Sequence, residues 1–347
     1  MPASTPAPMP MAPVPPRPSE VCYSPQDLAA VPFLAALLPS LPESALASNG
    51  CVTGDYAGAL LGGGTCAYDP GQPVKRGERC CYVLSSSQPG CGRPLVIGGE
   101  ARVATARSMG GWAAATREPL AVGLPRETAE RIGREWLGDA VLEHASIAAF
   151  AAFGLSLLAV GAPAELLAEC QRAGADEVEH ARSCFLLASQ YLNREYGPGP
   201  LDLSGIGIVS GLEEIAARTL LDGCVEETIA ALTASAQLEV ATEPRVRATL
   251  ERIVADETRH AELAWTFVAW ALATGGSRVA RSLAAASAGL GATSADGEAA
   301  RDEPTASELR LLHDAGRLSP RERAAVRKSA ISRVIRPALQ ELSLDRA

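Results

Sequence analysis

The spacing of hydrophobic and polar residues changes near Arg126. From there on, apolar residues recur every three to four positions over four long stretches, a spacing that indicates amphipathic helices. Glycine and proline separate these stretches at residues 161–163, 197–200 and 275–276, and Pro244 lies in the first turn of the fourth. The pattern predicts four helices of roughly 30 residues, each about 45 Å long.

The connections between these helices predict the topology of the bundle. The first helix is predicted to end at about Val160 and the second at about Tyr196. Residues 210–213 (Ser-Gly-Leu-Glu) have the spacing of a capping box, which predicts the start of the third helix. Two short turns and one longer connection, 197–210, favour an all-α bundle with a crossover, spanning residues 126–276, over a simple up-and-down bundle.

The chain before the bundle is irregular. Residues 1–20 are rich in proline and alanine and are predicted to be a disordered tail. Residues 21–111 contain short apolar pieces broken by proline, glycine and serine, including a small predicted helix at 31–38. Residues 93–103 have the pattern of a hairpin that turns at Gly98-Gly99.

The chain after the bundle is predicted to form a connection and a helical extension. Residues 277–304 are rich in alanine, serine, glycine and aspartate, as in a linker, and residues 305–347 form the extension. Ser319 and Glu322 have capping-box spacing at the start of a basic helix that ends near Leu342. Its apolar side is predicted to comprise Val326, Ile331, Val334, Ile335 and Leu339. We expect this side to pack on the bundle; the alternative is a helix that binds a partner.

Composition and charge limit the class of protein. At 347 residues and 47% hydrophobic content, the chain is long enough to bury a sizeable core. The net charge of −9 argues against nucleic-acid and anionic-membrane partners, which bind basic surfaces. No apolar run reaches the ~20 residues of a membrane-spanning helix. The first residues lack the pattern of a signal peptide, so a cytoplasmic location is the default expectation.

The nine cysteines divide between two parts of the chain. Three fall in predicted helices, at Cys170, Cys184 and Cys224. Six fall in the irregular part, at Cys22, Cys51, Cys66, Cys80, Cys81 and Cys91. Six cysteines in a segment with little core of its own suggest three disulfides and export to an oxidising compartment; the alternative is free thiols. No CxxC pair occurs, which argues against a zinc ribbon.

The same short motif occurs twice in the bundle. Residues 176–180 read D-E-V-E-H and residues 256–260 read D-E-T-R-H. Glutamate and histidine three positions apart lie on one face of a helix, so each motif presents a carboxylate and an imidazole together. Upstream of each motif, an alanine-rich helix carries a further carboxylate, at Glu143 and at Glu227. Four carboxylates and two imidazoles that converge inside four helices predict a two-metal site.

The residues around these side chains predict that the site is buried. Apolar residues such as Ile147, Cys184 and Phe267 lie at helical spacing from the candidate ligands. Buried carboxylates are costly unless they are paired or bound to metal. Carboxylate and imidazole groups suit Fe(II) and Mn(II), and also zinc. The alternative, that these side chains lie on solvated faces, would require the apolar faces to point elsewhere.

The sequence leaves the register of one ligand open. Glu226 and Glu227 are adjacent, and we favour Glu227 because Cys224 and Ala231 share its face. His144 points about 100° away from Glu143 on the helix, so a structural role is expected for it. Cys184 and Cys224 lie on ligand-bearing faces and are expected to be small core residues rather than ligands.

The layout Glu143, Glu177-x-x-His180, Glu227, Glu257-x-x-His260 resembles the ferritin-like di-iron carboxylate superfamily, and residues 256–260 resemble the D-E-x-R-H signature of di-iron oxygenases. The resemblance covers roughly residues 126–275. It implies that Glu177 and Glu257 bridge or chelate the metals and that each histidine binds one metal. Glu143 and Glu227 would be terminal ligands, with Asp176 and Asp256 orienting the imidazoles. In the first motif, Glu179 stands where the signature has arginine.

The resemblance implies a di-iron oxidoreductase. Two Fe ions, with mixed Mn/Fe or zinc occupancy as alternatives, would activate dioxygen or peroxide to oxidise a small substrate, with electrons from a donor. One alternative is iron oxidation or storage without an organic substrate, although the irregular part before the bundle argues against a closed storage cage. Another is a non-catalytic helical module. An oligomeric assembly is compatible with each of these functions.

Overall fold

The computed structural model describes residues 19–23, 51, 69–70, 74–77, 79–85, 93, 95–97, 100–112, 118–287 and 304–344. This part of the chain is mostly helical, as predicted. The α-helices are α1 Arg126–Ala159, α2 Ala164–Leu192, α3 Leu212–Arg218, α4 Glu226–Val240, α5 Pro244–Gly275, α6 Ser277–Ser287, α7 Ala306–Asp314, α8 Pro320–Ala330 and α9 Arg336–Leu344. Two π-helical segments, π1 Thr219–Val225 and π2 Ile331–Ile335, join α3 to α4 and α8 to α9.

Short antiparallel strands precede the helices. They are β1 Ser19–Tyr23, β2 Asp69–Pro70, β3 Val74–Arg76, β4 Arg79–Ser85, β5 Val96–Ile97, β6 Glu100–Ala101 and β7 Ala106–Arg107, with β8 Gly197–Pro198 after α2. Strands β1, β2 and β3 all pair with β4. Strands β5 and β6 form the hairpin predicted around residues 98–99. Strand β7 pairs with β8, so it ties the irregular part to the crossover connection.

Among the described residues of the irregular part, a disulfide joins Cys51 and Cys80. Cys22 lies opposite Cys81 in the β1–β4 register, but the side chains of both lie outside the described residues. Cys66, Cys91 and the small helix predicted at 31–38 also lie outside them. The predicted tail 1–20 lies outside them too, apart from its last two residues, which begin β1. The other two predicted disulfides therefore stay predictions.

The helix ends follow local sequence, with two differences from the prediction. Helix α2 ends at Leu192 rather than near Tyr196, because Asn193 adopts a left-handed conformation (φ 49°) that asparagine tolerates. The capping box predicted at 210–213 does not form: Gly211 caps α3 without a side-chain hydrogen bond. At α5, Pro244 occupies the first turn as predicted, and the Glu243 carboxylate accepts hydrogen bonds from the next two N–H groups.

The long helices pack in pairs. Helix α1 lies along α2, α4 lies along α5, and α2 also contacts α5. Their apolar residues form two main buried groups. One surrounds Trp136 and Phe185, and the other surrounds Phe150 and Phe267. Glu143 on α1 and the two D-E-x-x-H motifs on α2 and α5 fall between these two apolar groups along their helices. They therefore lie in the middle of the helical core.

Helix α1 is long and apolar enough, by length and composition, to cross a membrane. In the most apolar 18-residue stretch of this helix, 56% is buried against the rest of the protein. Buried Glu135, Asp139 and Glu143 lie on the same helix. A buried core helix of a folded domain has the same length, composition and burial.

The residues after α5 pack on the core. Residues 277–287, predicted as part of a linker, form α6, because Val279 and Leu283 are buried in the same apolar group as Ile215 of α3. The capping box at Ser319 and Glu322 forms as predicted.

Helices α8 and α9 also pack on the core, as expected. Ala330 and Ile335 are buried against Val225 and Ile229. Val334, predicted on the apolar side, is 42% exposed. It lies in π2, whose wider turn changes the helical spacing on which the prediction rested.

Candidate metal centre

Six buried polar side chains from four helices meet in the middle of the core. None of them is more than 4% exposed. They are Glu143 on α1, Glu177 and His180 on α2, Glu227 on α4, and Glu257 and His260 on α5. We call this set the carboxylate–histidine cluster. All six residues singled out in the sequence are therefore brought together.

The cluster divides into two groups that share Glu257. Glu143, Glu177, His180 and Glu257 form one group, and Glu227, Glu257 and His260 form the other. Within each group, one candidate ligand atom from each residue lies within 4.8 Å of those from the others. The cluster can thus hold a metal ion in either group, with Glu257 available to both.

The two motif carboxylates lie between the two imidazoles. His180 Nδ1 is 3.7 Å from Glu177 Oε2 and 3.4 Å from Glu257 Oε1. His260 Nδ1 is 3.3 Å from the other oxygen of Glu177 and 3.6 Å from the other oxygen of Glu257. Glu143 lies on the His180 side, with Oε2 4.0 Å from Nδ1. Each motif glutamate therefore presents one oxygen to each imidazole.

Most of the polar atoms that face the cluster centre have no hydrogen-bond partner among the described residues. They are both carboxylate oxygens of Glu177, Glu227 and Glu257, Oε2 of Glu143, and Nδ1 of both histidines. Each buried polar atom left unsatisfied costs about 1–3 kcal/mol, more when it is charged. A concentration of such atoms at one point fits the coordination of cations.

The outer nitrogen of each histidine contacts an aspartate from the opposite motif. His180 Nε2 lies 3.0 Å from Asp256 Oδ2, and His260 Nε2 lies 3.3 Å from Asp176 Oδ2. Where Nε2 donates to the aspartate, a neutral imidazole keeps its Nδ1 lone pair directed at the cluster. Arg259 donates from Nη1 to Asp176 at 3.2 Å and from Nη2 to Asp256. One guanidinium thus holds both aspartates.

The metal-free cluster has carboxyl groups of two kinds. Burial raises the pKa of Glu143 well above its ordinary value, and the charges of Glu177 and Glu257 raise it further. Burial and the charge of Glu257 do the same to the pKa of Glu227. Burial also acts to raise the pKa of Glu177 and of Glu257, but the imidazoles outweigh it and hold both pKa values below the ordinary value. Burial therefore favours the protonated form of Glu143 and Glu227, whereas the imidazoles favour the ionised form of Glu177 and Glu257.

The histidines carry the balancing charge. Burial acts to lower the pKa of His260, but Asp176 and the motif carboxylates outweigh it and raise that pKa to about 12. Asp256 and the same carboxylates raise the pKa of His180 well above its ordinary value against the effect of burial. Protonated imidazoles beside the carboxylates of Glu177 and Glu257 offset their charge, which lowers the cost of burying the metal-free cluster.

The structure also places the residues whose roles the sequence left open. Glu227 faces the cluster, whereas Glu226 points outward and forms two hydrogen bonds with Arg327, at 3.1 and 3.0 Å. His144 is half-buried away from the cluster, with its ring against the edge of Trp112. Its pKa is lowered by burial. Cys184 is fully buried and borders the cluster.

A polar pair close to the cluster was not predicted from the sequence. Asp139 lies one helical turn before Glu143, and its Oδ2 accepts a hydrogen bond of 2.5 Å from Arg317 Nη1. Arg317 is 2% exposed, and its guanidinium stacks 3.5 Å from the ring centroid of Trp136. The i, i+4 spacing to Glu143 was a usable signal for Asp139. Nothing local in the sequence connects Arg317 to this site.

Comparison with known proteins adds no assignment. No family model matches the chain, and no curated protein and no solved structure matches it. The buried cluster in a helical core is compatible with a di-iron site.

Proposed function

We propose that this protein is a ferritin-like di-iron oxidoreductase that binds two Fe ions through the carboxylate–histidine cluster. Bound Fe(II) would supply the electrons that reduce dioxygen or peroxide, and the oxidised centre would then act on a small substrate. The packing of α1 with α2 and of α4 with α5, around ligands from all four helices, supports the ferritin-like four-helix arrangement.

The observation that carries this proposal is the set of buried polar atoms at one point that form no hydrogen bond among the described residues. Seven carboxylate oxygens and two imidazole nitrogens face the centre without a hydrogen-bond partner among the described residues. Charge supports the same conclusion. Four carboxylates and two neutral imidazoles carry a charge of −4, which two divalent cations balance. The cluster therefore suits two divalent ions.

The chain's own residues would have distinct roles at this centre. Glu177 and Glu257, which lie between the imidazoles, would contact both ions. Glu143 would complete the His180 side and Glu227 the His260 side, following the two groups of the cluster. Asp176 and Asp256 would hold the imidazoles with Nδ1 toward the ions, and the surrounding apolar groups would exclude bulk water.

The donor set favours iron. Four carboxylates and two imidazoles suit Fe(II) and Mn(II), and the described cluster contains no thiolate ligand that would favour a softer metal. Mixed Mn/Fe occupancy uses the same donors. Zinc also binds such groups, but it has no redox chemistry.

Anaerobic titration of metal-free protein with Fe(II) tests the proposal. We expect two Fe(II) per chain, followed by a near-ultraviolet absorption band on exposure to dioxygen or peroxide. Glu227→Ala should reduce the stoichiometry below two. Glu226→Ala is the matched control, because the adjacent Glu226 points away from the cluster to Arg327. A stoichiometry below two in the unmodified protein, or no change of absorbance on oxidation, would refute the proposed function.

A further inference from the structure

A small cavity of about 30 Å³ adjoins the carboxylate–histidine cluster. Glu143 and Glu257 of the cluster form part of its wall. The remaining lining residues are Trp136, Asp139, Cys184, Ala230, Thr233, Ala234, Gln237, Leu250 and Ile253. Gln237 is the half-buried member of this set and the others are buried, so the lining of the cavity is nearest to solvent at Gln237.

One face of α4 forms the wall that runs along this cavity. Ala230, Thr233, Ala234 and Gln237 recur at three- and four-residue spacing, and they continue the face that carries Glu227. From Ala230 to Gln237, the part that lines the cavity, this face extends about 10 Å at 1.5 Å per residue. Three of these four residues are small, which leaves the space open. The cavity therefore follows α4 toward the metal centre.

The volume limits what can enter. A water molecule needs about 10–15 Å³ of such volume, so the cavity has room for about two water-sized groups. Pockets for organic ligands are commonly larger by about an order of magnitude. A molecule with at most two non-hydrogen atoms fits, whereas an organic substrate does not.

The wall offers hydrogen-bond donors and acceptors. The indole N–H of Trp136 is buried and has no partner among the described residues, and neither has Oε2 of Glu143. Asp139 presents a carboxylate that Arg317 holds in place at 2.5 Å. A cavity lined by both donors and acceptors suits a molecule that can both accept and donate hydrogen bonds.

We propose that this cavity is the access path and binding site for a small hydrogen-bonding reactant of the metal centre, namely hydrogen peroxide, with water in its place at rest. Asp139, fixed by Arg317, is a positioning residue for that molecule. With iron bound, the reaction would balance as follows: one hydrogen peroxide, two protons and one electron from each of two Fe(II) ions would give two water molecules, with the O–O bond broken. This inference rests on the proposed function.

Narrowing the cavity tests the path. In protein loaded anaerobically with two Fe(II), Ala234→Leu should slow oxidation by hydrogen peroxide roughly tenfold or more, because added methyl groups fill the space. Ala236→Leu is the control: it lies on the same helix, is half-buried and does not line the cavity. Ala234→Val serves if Ala234→Leu does not fold. A second readout, independent of turnover, is the rate at which nitric oxide, a molecule of two non-hydrogen atoms, binds the Fe(II) form, which Ala234→Leu should also slow.

Asp139→Asn tests the positioning role, because it keeps the size of the side chain and removes its charge. The peroxide concentration that gives half the maximal rate should rise roughly tenfold, as for the loss of a charge-assisted hydrogen bond. Oxidation by dioxygen, which donates no hydrogen bond, should change less than twofold. The double variant Asp139→Asn/Arg317→Met should behave in the same way while avoiding an unpaired buried guanidinium.

The outcomes separate this inference from the proposed function. If the unmodified protein does not bind two Fe(II), the proposed function fails. If two Fe(II) bind and are oxidised, but Ala234→Leu and Ala236→Leu give equal rates with peroxide and nitric oxide, the cavity is not the path. If Asp139→Asn slows peroxide and dioxygen alike, or neither, Asp139 does not position the peroxide.

Discussion

The two D-E-x-x-H motifs, on α2 and on α5, occupy almost equivalent positions around the cluster. Each contributes a glutamate that lies between the imidazoles and a histidine whose outer nitrogen meets an aspartate. The aspartate always comes from the opposite motif. Neither motif is therefore a complete half-site: the geometry of His180 depends on α5 and that of His260 depends on α2.

The motifs differ at their fourth position. Arg259 of the second motif contacts both Asp176 and Asp256. Glu179 of the first motif is exposed and pairs with Arg182 on its own helix. Because the aspartates cross between the helices, both lie within reach of a single guanidinium. The departure from the D-E-x-R-H pattern in the first motif thus leaves no aspartate without an arginine.

The two carboxylates outside the motifs, Glu143 and Glu227, lie in different kinds of helix. Glu143 lies within the regular helix α1, whereas Glu227 follows the π-helical segment π1. In π1, Gly223 approaches α5 so closely that an added Cβ would lie 2.7 Å from the Cβ of Ala264. A π-helical turn contains an extra residue, so it shifts the face that follows it. The helix face on which Glu227 lies therefore depends on the close packing of π1 against α5.

The largest expected effect comes from breaking both motifs at once. His180→Ala with His260→Ala should abolish stoichiometric binding of two Fe(II), because each group of the cluster loses its only imidazole. His144→Ala is the control, since His144 lies outside the cluster against Trp112. Metal analysis after anaerobic loading and gel filtration measures the effect. Two irons per chain in the double variant would place the site elsewhere.

The cluster could be predicted from the sequence because its signals are local. Glutamate and histidine at i, i+3 share a helix face wherever the helix is regular. The long apolar periodicity also predicts the ends of a helix such as α1 to within a residue or two. The crossed His–Asp contacts, the Asp139–Arg317 pair and π1 join residues that are far apart or depend on close packing. Helix periodicity carries no information about those contacts.

The next effect tests whether the two motifs are equivalent. Asp256→Ala and Asp176→Ala should each weaken metal binding by roughly 10–100-fold, because each removes the group that orients one imidazole. Helical circular dichroism should stay unchanged, and Asp202→Ala, on the exposed crossover connection, is the control. Competition with a chelator measures the affinities. An unchanged affinity in either variant would show that the crossed contact on that side does not support the metal.

The pH dependence of metal binding tests whether both motifs titrate as one cluster. In the metal-free protein the pKa of His260 is raised to about 12, so its contribution to the free energy of unfolding is complete below about pH 6.5, its unfolded pKa, and is lost as pH rises toward 12. The pKa values of Glu143 and Glu227 are also raised, so their contributions to the free energy of unfolding likewise decrease as pH rises. Metal ions replace these protons, so the apparent affinity should rise about tenfold or more per pH unit.

We would measure the metal affinity between pH 6 and 8 in non-chelating buffers. The number of protons released on binding would be measured under the same conditions. His260→Ala should reduce the number of protons released and flatten the dependence. A pH-independent affinity would contradict the charge balance that the buried cluster implies.

The smallest expected effect compares the fourth positions of the motifs directly. Arg259→Leu removes the contacts to both aspartates, so the two imidazoles lose orientation together, and we expect metal affinity to fall a few-fold, roughly the effect of one partly exposed charged contact. Glu179→Leu, at the matching position, should leave the affinity unchanged, because Glu179 contacts Arg182 and not the aspartates. Competition with a chelator at low and high salt separates the two. Since Arg259 is 37% exposed, its contribution should shrink as salt rises. Equal effects of the two variants would mean that the arginine of the second motif is only a solvated surface charge.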